Sequence, residues 1–252
     1  MNQRIDILRE TLPLRSSVRI LAVHPTGLMA FEKPPGLLTH PNPKQDHKRA
    51  FLDAPYDHNR ECYHWEGGTL FLTHRLDSPT SGIILGALHR DVARAVKKVF
   101  AAHRVYKRYD AIVVGKPKQQ QGYWRDSTIK TRRDEKLRVI PLKHKTAKST
   151  QTAFTLVSES QNQLDVSLLS LEPKTGRTHQ LRVQCACHHL PIVGDRTYGK
   201  FAFNRKVAAT IGTQRLFLHA AEIQLEFDFK GKRHTFSATS PMPTEFDVLM
   251  EK

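Results

Sequence analysis

The stretch Thr69-Leu70-Phe71-Leu72-Thr73-His74-Arg75-Leu76-Asp77-Ser78-Pro79-Thr80-Ser81-Gly82-Ile83-Ile84-Leu85-Gly86-Ala87-Leu88 places a polar turn between two apolar runs. Runs of four to six apolar residues, bounded by Pro and Gly, read as buried β-strands. Asp77 then sits on a short loop carried by two rigid elements, two residues after Arg75. A reacting group can be held fixed in such a place. The local alternative is an ordinary turn aspartate that bonds its own backbone before Ser-Pro.

Working outward, Ser17–Val23 and Leu28–Phe31 are further β-like runs divided by His24-Pro25-Thr26-Gly27, and Lys33-Pro34-Pro35-Gly36 breaks the chain after them. Residues 41–68 are polar, hold three prolines and the Gly67-Gly68 pair, and read as a long loop. Val92, Ala95, Val96, Val99 and Phe100 recur at helical spacing, with Arg94, Lys97 and Lys98 on the other face. Lys107–Gly115 is a β-branched run closed by glycine. Leu164, Val166, Leu168 and Leu171 give a mostly alternating strand, and Ala221–Phe227 gives another. Thr178–Leu190 reads as a short helix stopped before Pro191, which places Arg177 at its start. Many strands with few helices and no β-α-β rhythm indicate an α+β fold around a mixed or antiparallel sheet. No linker or repeat splits the chain, so one large domain is expected, over 18–252 after an N-terminal extension at 1–17.

The 252 residues are 39% hydrophobic and 25% charged, enough for a core and unlike a disordered chain. Forty Lys+Arg against 24 Asp+Glu give a net charge of +16, which points to a polyanionic partner, most plausibly nucleic acid. Half of that excess lies in residues 116–148, which hold 11 Lys/Arg and 3 acids. This basic insertion is an RNA contact or a solvated charged hairpin. No apolar run reaches membrane-spanning length, and Met1–Arg15 lacks the apolar core of a secretory signal. Three cysteines read as reduced thiols of a cytosolic, cytoplasmic protein.

Several chemistries are excluded. No phosphate loop and no G-x-G-x-x-G opens a helix, so a nucleotide cofactor is not expected, and no H-E-x-x-H is present. His64-Trp65-Glu66 fits half of a zinc deaminase signature, but the other half would have to come from Cys185-Ala186-Cys187. Two thiols at that spacing on a helix face apart, which suits a tetrahedral zinc site poorly. Pro173–Arg182 is a basic strand-to-helix turn. An arginine at a helix start gains nothing from the helix dipole, so Arg177 is either held there for a carboxylate or phosphate partner or is simply a solvated turn arginine, the commoner case on local grounds alone. Tyr109 is a core-edge tyrosine or a platform on which a base could stack.

Taken in order, these segments resemble the RluA-type RNA pseudouridine synthases. His74-Arg75-Leu76-Asp77-x-x-Thr80-Ser81-Gly82 is similar to that family's signature. Lys33-Pro34-Pro35-Gly36-Leu37-x-x-His40 is similar to its first motif, and Lys107-Arg108-Tyr109-x-Ala111-x-Val113-x-Gly115 to its tyrosine strand. Leu171-x-Pro173-x-Thr175-Gly176-Arg177-x-His179-Gln180-Leu181-Arg182, Pro191-Ile192-x-Gly194-Asp195 and Arg215-Leu216-x-Leu218-His219-Ala220 follow in register. Together they cover roughly residues 18–242. The short start and the Lys107–Tyr109, Glu172–Arg177 and Gln214–Leu216 segments resemble the compact TruC-type branch, which lacks an N-terminal RNA-binding module.

The resemblance implies a single α+β catalytic domain on a mixed, largely antiparallel sheet with flanking helices and a central cleft. It implies that Asp77 is the catalytic aspartate, that Arg177 pairs with it, and that Tyr109 packs against the target base. Arg75 would fill the gap left by a flipped nucleotide, and Leu181 would line the uracil pocket. Lys130, Arg132 and Arg133 of the basic segment are the expected RNA contacts. The implied enzyme is a monomer acting on tRNA or rRNA, with no cofactor, no metal and no membrane. The alternative is an RNA-binding or RNA-folding protein of the same fold without turnover. Gln184 departs from the family, which shows histidine after Leu-Arg-Val.

Overall fold

The computed structural model describes residues 2–41, 47–133, 136–141, 147–160 and 164–251. Helix α1 (Asn2–Thr11) precedes strands β1 (Arg19–Val23), β2 (Leu28–Lys33), β3 (Tyr56–Asp57), β4 (Cys62–Trp65), β5 (Gly68–Leu72) and β6 (Ser81–Ala87). Helix α2 (Arg90–Ala101) leads into β7 (Tyr106–Val114), β8 (Gln121–Arg133), β9 (Lys136–Pro141), β10 (Lys148–Glu159) and β11 (Val166–Pro173). Helices α3 (Gln180–Cys187) and α4 (Phe201–Ile211), strands β12 (Leu218–Phe229) and β13 (Lys232–Thr239) and helix α5 (Thr244–Glu251) complete the order. The protein is thus α+β. Its internal contacts group into two compact units: Met1–Tyr106 with Ala220–Ser240, and Lys107–His219 with Pro241–Lys252.

In the first unit, β2 pairs antiparallel with both β1 and β6, running from Leu28 opposite Ala87 to Lys33 opposite Gly82. All seven residues of β6 are buried. Because side chains alternate across a strand, Leu28, Ala30, Ile83 and Leu85 enter one apolar cluster while Met29, Phe31 and Ile84 enter another. The first cluster also holds Val92, Val96 and Val99 of α2 with Ile223, Leu225 and Phe227 of β12, so the helix expected from sequence buries the expected face. The second is closed by Leu12 just after α1, with Leu8 packed against it.

The segment expected to be a loop, 41–68, departs from that reading where it is described. It contains β3 and β4, which pair with each other and then with β5. Cys62 and Tyr63 are fully buried and Tyr56 nearly so, which anchors two short strands in otherwise polar sequence. Residues 42–46 lie outside the described residues.

In the second unit the strands lie in the order β7-β11-β10-β8-β9, every pairing antiparallel. Residues 116–148 supply β8 and β9. The first half of β8 belongs to the sheet, with Trp124 and Thr128 buried. The outer half pairs with β9, setting Lys130 opposite Val139 and Arg132 opposite Leu137. Helices α3, α4 and α5 contribute Leu181, Cys185, Val207, Phe246 and Leu249 to one core cluster with β7 and β11. Helix α4 buries only Val207 fully, too little of a stripe to be seen in the sequence, and it ends at Gly212 in the left-handed conformation.

Candidate active site

Asp77 lies between β5 and β6, half-buried, and the main chain on both sides of it is clamped by buried side chains of the first unit. On one side, the Thr39 hydroxyl donates to the Leu76 carbonyl (3.1 Å) and accepts the Leu76 amide (3.2 Å). Thr39 is itself buried, and its carbonyl accepts the Tyr63 hydroxyl at 3.0 Å. On the other side, the Ser78 carbonyl accepts the Lys33 ammonium (3.1 Å) and the Gly36 amide (2.8 Å). The same ammonium donates to the carbonyls of Pro34 (2.9 Å) and Leu37 (3.1 Å).

Lys33 is fully buried. A buried ammonium is tolerated only when its donors are satisfied, and here three main-chain oxygens do so. The Lys-Pro-Pro-Gly segment is therefore wound around its own lysine, and that lysine also grips the aspartate loop. Arg49 adds a guanidinium contact to the Ser78 hydroxyl (3.2 Å), and the Thr80 amide closes a tight turn on the Asp77 carbonyl (3.0 Å).

The loop ends are fixed as well. Thr73 donates both its amide and its hydroxyl to the Leu85 carbonyl, and the Leu85 amide donates to His74 Nε2, whose ring stacks on Phe100. Gly82 has φ +105°, and a Cβ there would lie 2.3 Å from the Ala220 carbonyl oxygen. Only glycine lets the backbone pass so close. Arg75 is exposed. Burial, helped by the Arg75 charge, pushes His40 down to about pKa 4, so His40 is neutral at physiological pH.

Tyr109, Arg177 and Leu181 belong to the second unit. Tyr109 lies on β7 opposite Leu171 of β11 and packs against the core cluster. Its neighbours Arg108 and Asp110 point to the other face and pair at 2.5 Å. Leu181 is 6% exposed within that core. Arg177 is exposed, and it does not open a helix as its sequence suggested: α3 begins at Gln180, because His179 turns into the left-handed region at φ +53°. Arg177 therefore projects from a turn.

Buried Gln180 shapes that turn. Its Oε1 accepts the Arg177 amide (3.1 Å) and the Thr175 hydroxyl (2.8 Å), while its Nε2 donates to the Gln151 carbonyl and Thr152 Oγ1 (both 3.1 Å). Lys107 adds a bond to the Thr175 carbonyl at 3.3 Å. Burial, and to a lesser extent the Lys174 charge, pushes its ammonium down to about pKa 8.

The network continues inward. Thr152 donates to Gln184 Oε1 (2.6 Å), and Gln184 Nε2 donates to Asp126 (2.7 Å), which also contacts His188 (3.3 Å). Gln184 is thus bonded at both ends of its amide in the place where histidine was expected. Two further motifs meet in the ion pair of Arg182 with Asp195, doubly bonded at 2.7 and 2.9 Å and almost entirely buried. Burial alone would raise the Asp195 pKa; the guanidinium and two backbone amides outweigh it and hold the group below its usual value.

Asp77, Tyr109 and Arg177 are marked out in the sequence; Thr39 is not, and Lys33 and Gln180 appear there only as motif positions, without the roles by which they hold the loops. The side chains of Lys130, Arg132 and Arg133 lie outside the described residues. Among the described residues no group of three His, Cys, Asp or Glu side chains could hold a metal. All three cysteines are free thiols, and burial pushes that of Cys185 well above its usual pKa. No described helix is long and apolar enough to cross a membrane.

The α+β fold is shared with RNA pseudouridylate synthase domains. The chain is similar to human RNA pseudouridylate synthase domain containing 1, with a TM-score of 0.70 at 20% identity over 93% of this chain and 88% of that one. It is also similar to human domain containing 4, with a TM-score of 0.65 at 22% identity over 99% and 96%. The model of the RNA pseudouridylate synthase family matches residues 27–187, and the chain belongs to that family. Among curated relatives, tRNA pseudouridine synthase C of Yersinia pestis is 34% identical over 84% of this chain and 82% of its own length. The protein of the same name from Vibrio cholerae serotype O1 is 33% identical over 78% and 81%.

Proposed function

We propose that this enzyme converts a uridine of tRNA to pseudouridine, with Asp77 as the catalytic carboxylate and Tyr109 and Arg177 required for the same reaction. The observation that carries the reading is the two-sided clamp on Asp77, in a chain of this family: buried groups fix the backbone of one half-exposed carboxylate. Such fixing serves catalysis, because a misplaced reacting group costs far more in rate than in stability. The choice of tRNA rests on relatives named for it.

A uridine in folded RNA has to leave its stack, at a cost of a few kcal/mol, and stacking on Tyr109 offsets part of that. Arg75 is assigned the gap left behind, and Leu181 the apolar wall of the uracil pocket. Isomerisation breaks the N1–C1′ bond, rotates the base, joins C5 to C1′ and releases the C5 proton to water. No electrons enter or leave and no group is donated, so the monomer needs neither cofactor nor metal. The β8–β9 ribbon with Lys130, Arg132 and Arg133 supplies affinity for the phosphate backbone. The reaction belongs in the cytoplasm, where tRNA is modified and thiols stay reduced.

The test uses tRNA labelled with tritium at uridine C5, with no added metal or nucleotide. Release into water by the wild type and none by Asp77→Asn, which should still bind tRNA, is the expected result. Binding without release by the wild type would leave an RNA-binding protein and sink the enzyme reading. Neutralising the ribbon cations should weaken binding and flatten its salt dependence; an unchanged slope between 50 and 200 mM salt would remove the ribbon from the interface.

A further inference from the structure

A second feature of the second unit is not used by this chemistry. A cavity of about 170 Å³ opens beside α4, and none of its lining residues is Tyr109, Arg177 or Leu181. Its apolar wall is Val193, Val207 and Phe217, all buried. Its polar edge carries Arg196 and Arg205, and Phe201 lies at its rim with 55% of its surface exposed.

The walls are held rigidly. Asn204 accepts the Gly194 amide (2.8 Å) and donates to the Asp195 carbonyl (3.0 Å), tying α4 to the adjacent turn. Arg196 donates to Gln214 at 2.9 Å. Arg215, buried beneath, pairs with Glu245 at 3.2 Å and lies over the Phe217 ring.

Three properties define the occupant. An apolar cavity of about 150 Å³ accepts a six-membered ring, so this one has room for a planar base. Phe201 and Arg205 stand four residues apart on one helix face, which sets an exposed aromatic beside a cation. From residue 196 to 221 the chain carries Arg196, Lys200, Arg205, Lys206 and Arg215 and no Asp or Glu. A ring slot edged by the Arg196 and Arg205 guanidinium groups suits a nucleobase joined to phosphate. We propose that this cavity is a second RNA site, taking one unstacked nucleotide of the substrate other than the uridine that is isomerised. The proposal rests on the RNA-modifying reading above.

The experiment measures binding of the Asp77→Asn protein to bulk tRNA and to a fully paired RNA duplex, so it does not depend on turnover. Phe201→Ala should weaken tRNA binding about tenfold with the salt slope unchanged, since it removes one stacked base. Phe201→Trp should keep the affinity, and duplex binding should not respond to either change. Arg205→Ala should lower the salt slope by about one. If tRNA binds and all variants bind like the parent, the second site is wrong while the enzyme reading stands. If Phe201→Ala weakens duplex and tRNA alike, the helix is a general cationic surface and the base slot is wrong. If tRNA does not bind at all, both readings fall.

Discussion

The loop that carries Asp77 and the loop that carries Arg177 solve one problem in different ways. In the first unit, a threonine and a lysine brought from residues 33–39 grip the main chain on either side of the aspartate. In the second, a glutamine just beyond the turn gathers the Arg177 amide and the Thr175 hydroxyl, and the guanidinium is left exposed. Aspartate is short, so its carboxylate goes where its backbone goes. Arginine is long and can search for its partner from an approximate origin. The anion therefore needs the tighter frame: its main chain is gripped on both sides, where the Gln180 side chain holds the Arg177 main chain by one amide.

The change that should break this contrast most visibly is Lys33→Met, which leaves buried carbonyls without their donor. Stability to urea should fall by about 3 kcal/mol, and turnover on tRNA by about 100-fold at unchanged KM. A variant with normal kcat would show that the ammonium does not position Asp77.

Thr39→Val removes two bonds to Leu76 at nearly constant volume. A loss of about 2 kcal/mol is expected, with kcat down roughly tenfold; Thr39→Ser should restore both. If Ser does not rescue, the methyl packing rather than the hydroxyl holds the loop.

Gln180→Leu sharpens the comparison from the other side. Its cost in stability should be close to that of Thr39→Val, about 2 kcal/mol. Turnover should fall only a few-fold, because Arg177 retains its reach. Equal kcat losses in the two variants would erase the distinction between a framed anion and a searching cation.

The smallest effects separate the units by pH. His40 is held down from 6.5 to about 4. Between those values the unfolded chain takes up a proton that the folded chain refuses, so stability falls as pH drops through that window. Lys107 is lowered from 10.5 to about 8. Between pH 8 and 10.5 the unfolded chain keeps a proton that the folded chain releases, so stability rises with pH there. Urea midpoints of His40→Gln should be flatter only on the acid side, and those of Lys107→Met only on the alkaline side. Slopes that match the wild type would remove these groups as the cause.

Much of this frame is legible without coordinates. Strands β2, β5, β6, β7, β11 and β12 are unbroken or alternating apolar runs, and α2 shows its buried face at helical spacing. Strands β3 and β4 hide because their burial comes from isolated residues, Tyr56, Cys62 and Tyr63, between polar ones. β13 offers only Phe236 and Ala238 as inward positions. Asp77, Tyr109 and Arg177 stand out by the spacing of the motifs around them. Thr39 does not, and Gln180 shows only as a motif position, since a polar side chain that bonds distant main chain leaves no periodic trace of that role. Nothing in the sequence announces the left-handed His179 that moves Arg177 out of the helix.

The division of the chain into units has a consequence for its manufacture. The first unit is finished by Ala220–Ser240, and residues 107–219 are synthesised in between. At about 5–20 residues per second this interval lasts roughly 6–23 s. During it, Val92, Val96 and Val99 of α2 wait for Ile223, Leu225 and Phe227. The aspartate loop, abutting Ala220 through Gly82, gains that neighbour only after most of the second unit has emerged. On the ribosome, the half that carries Asp77 is begun first and completed late.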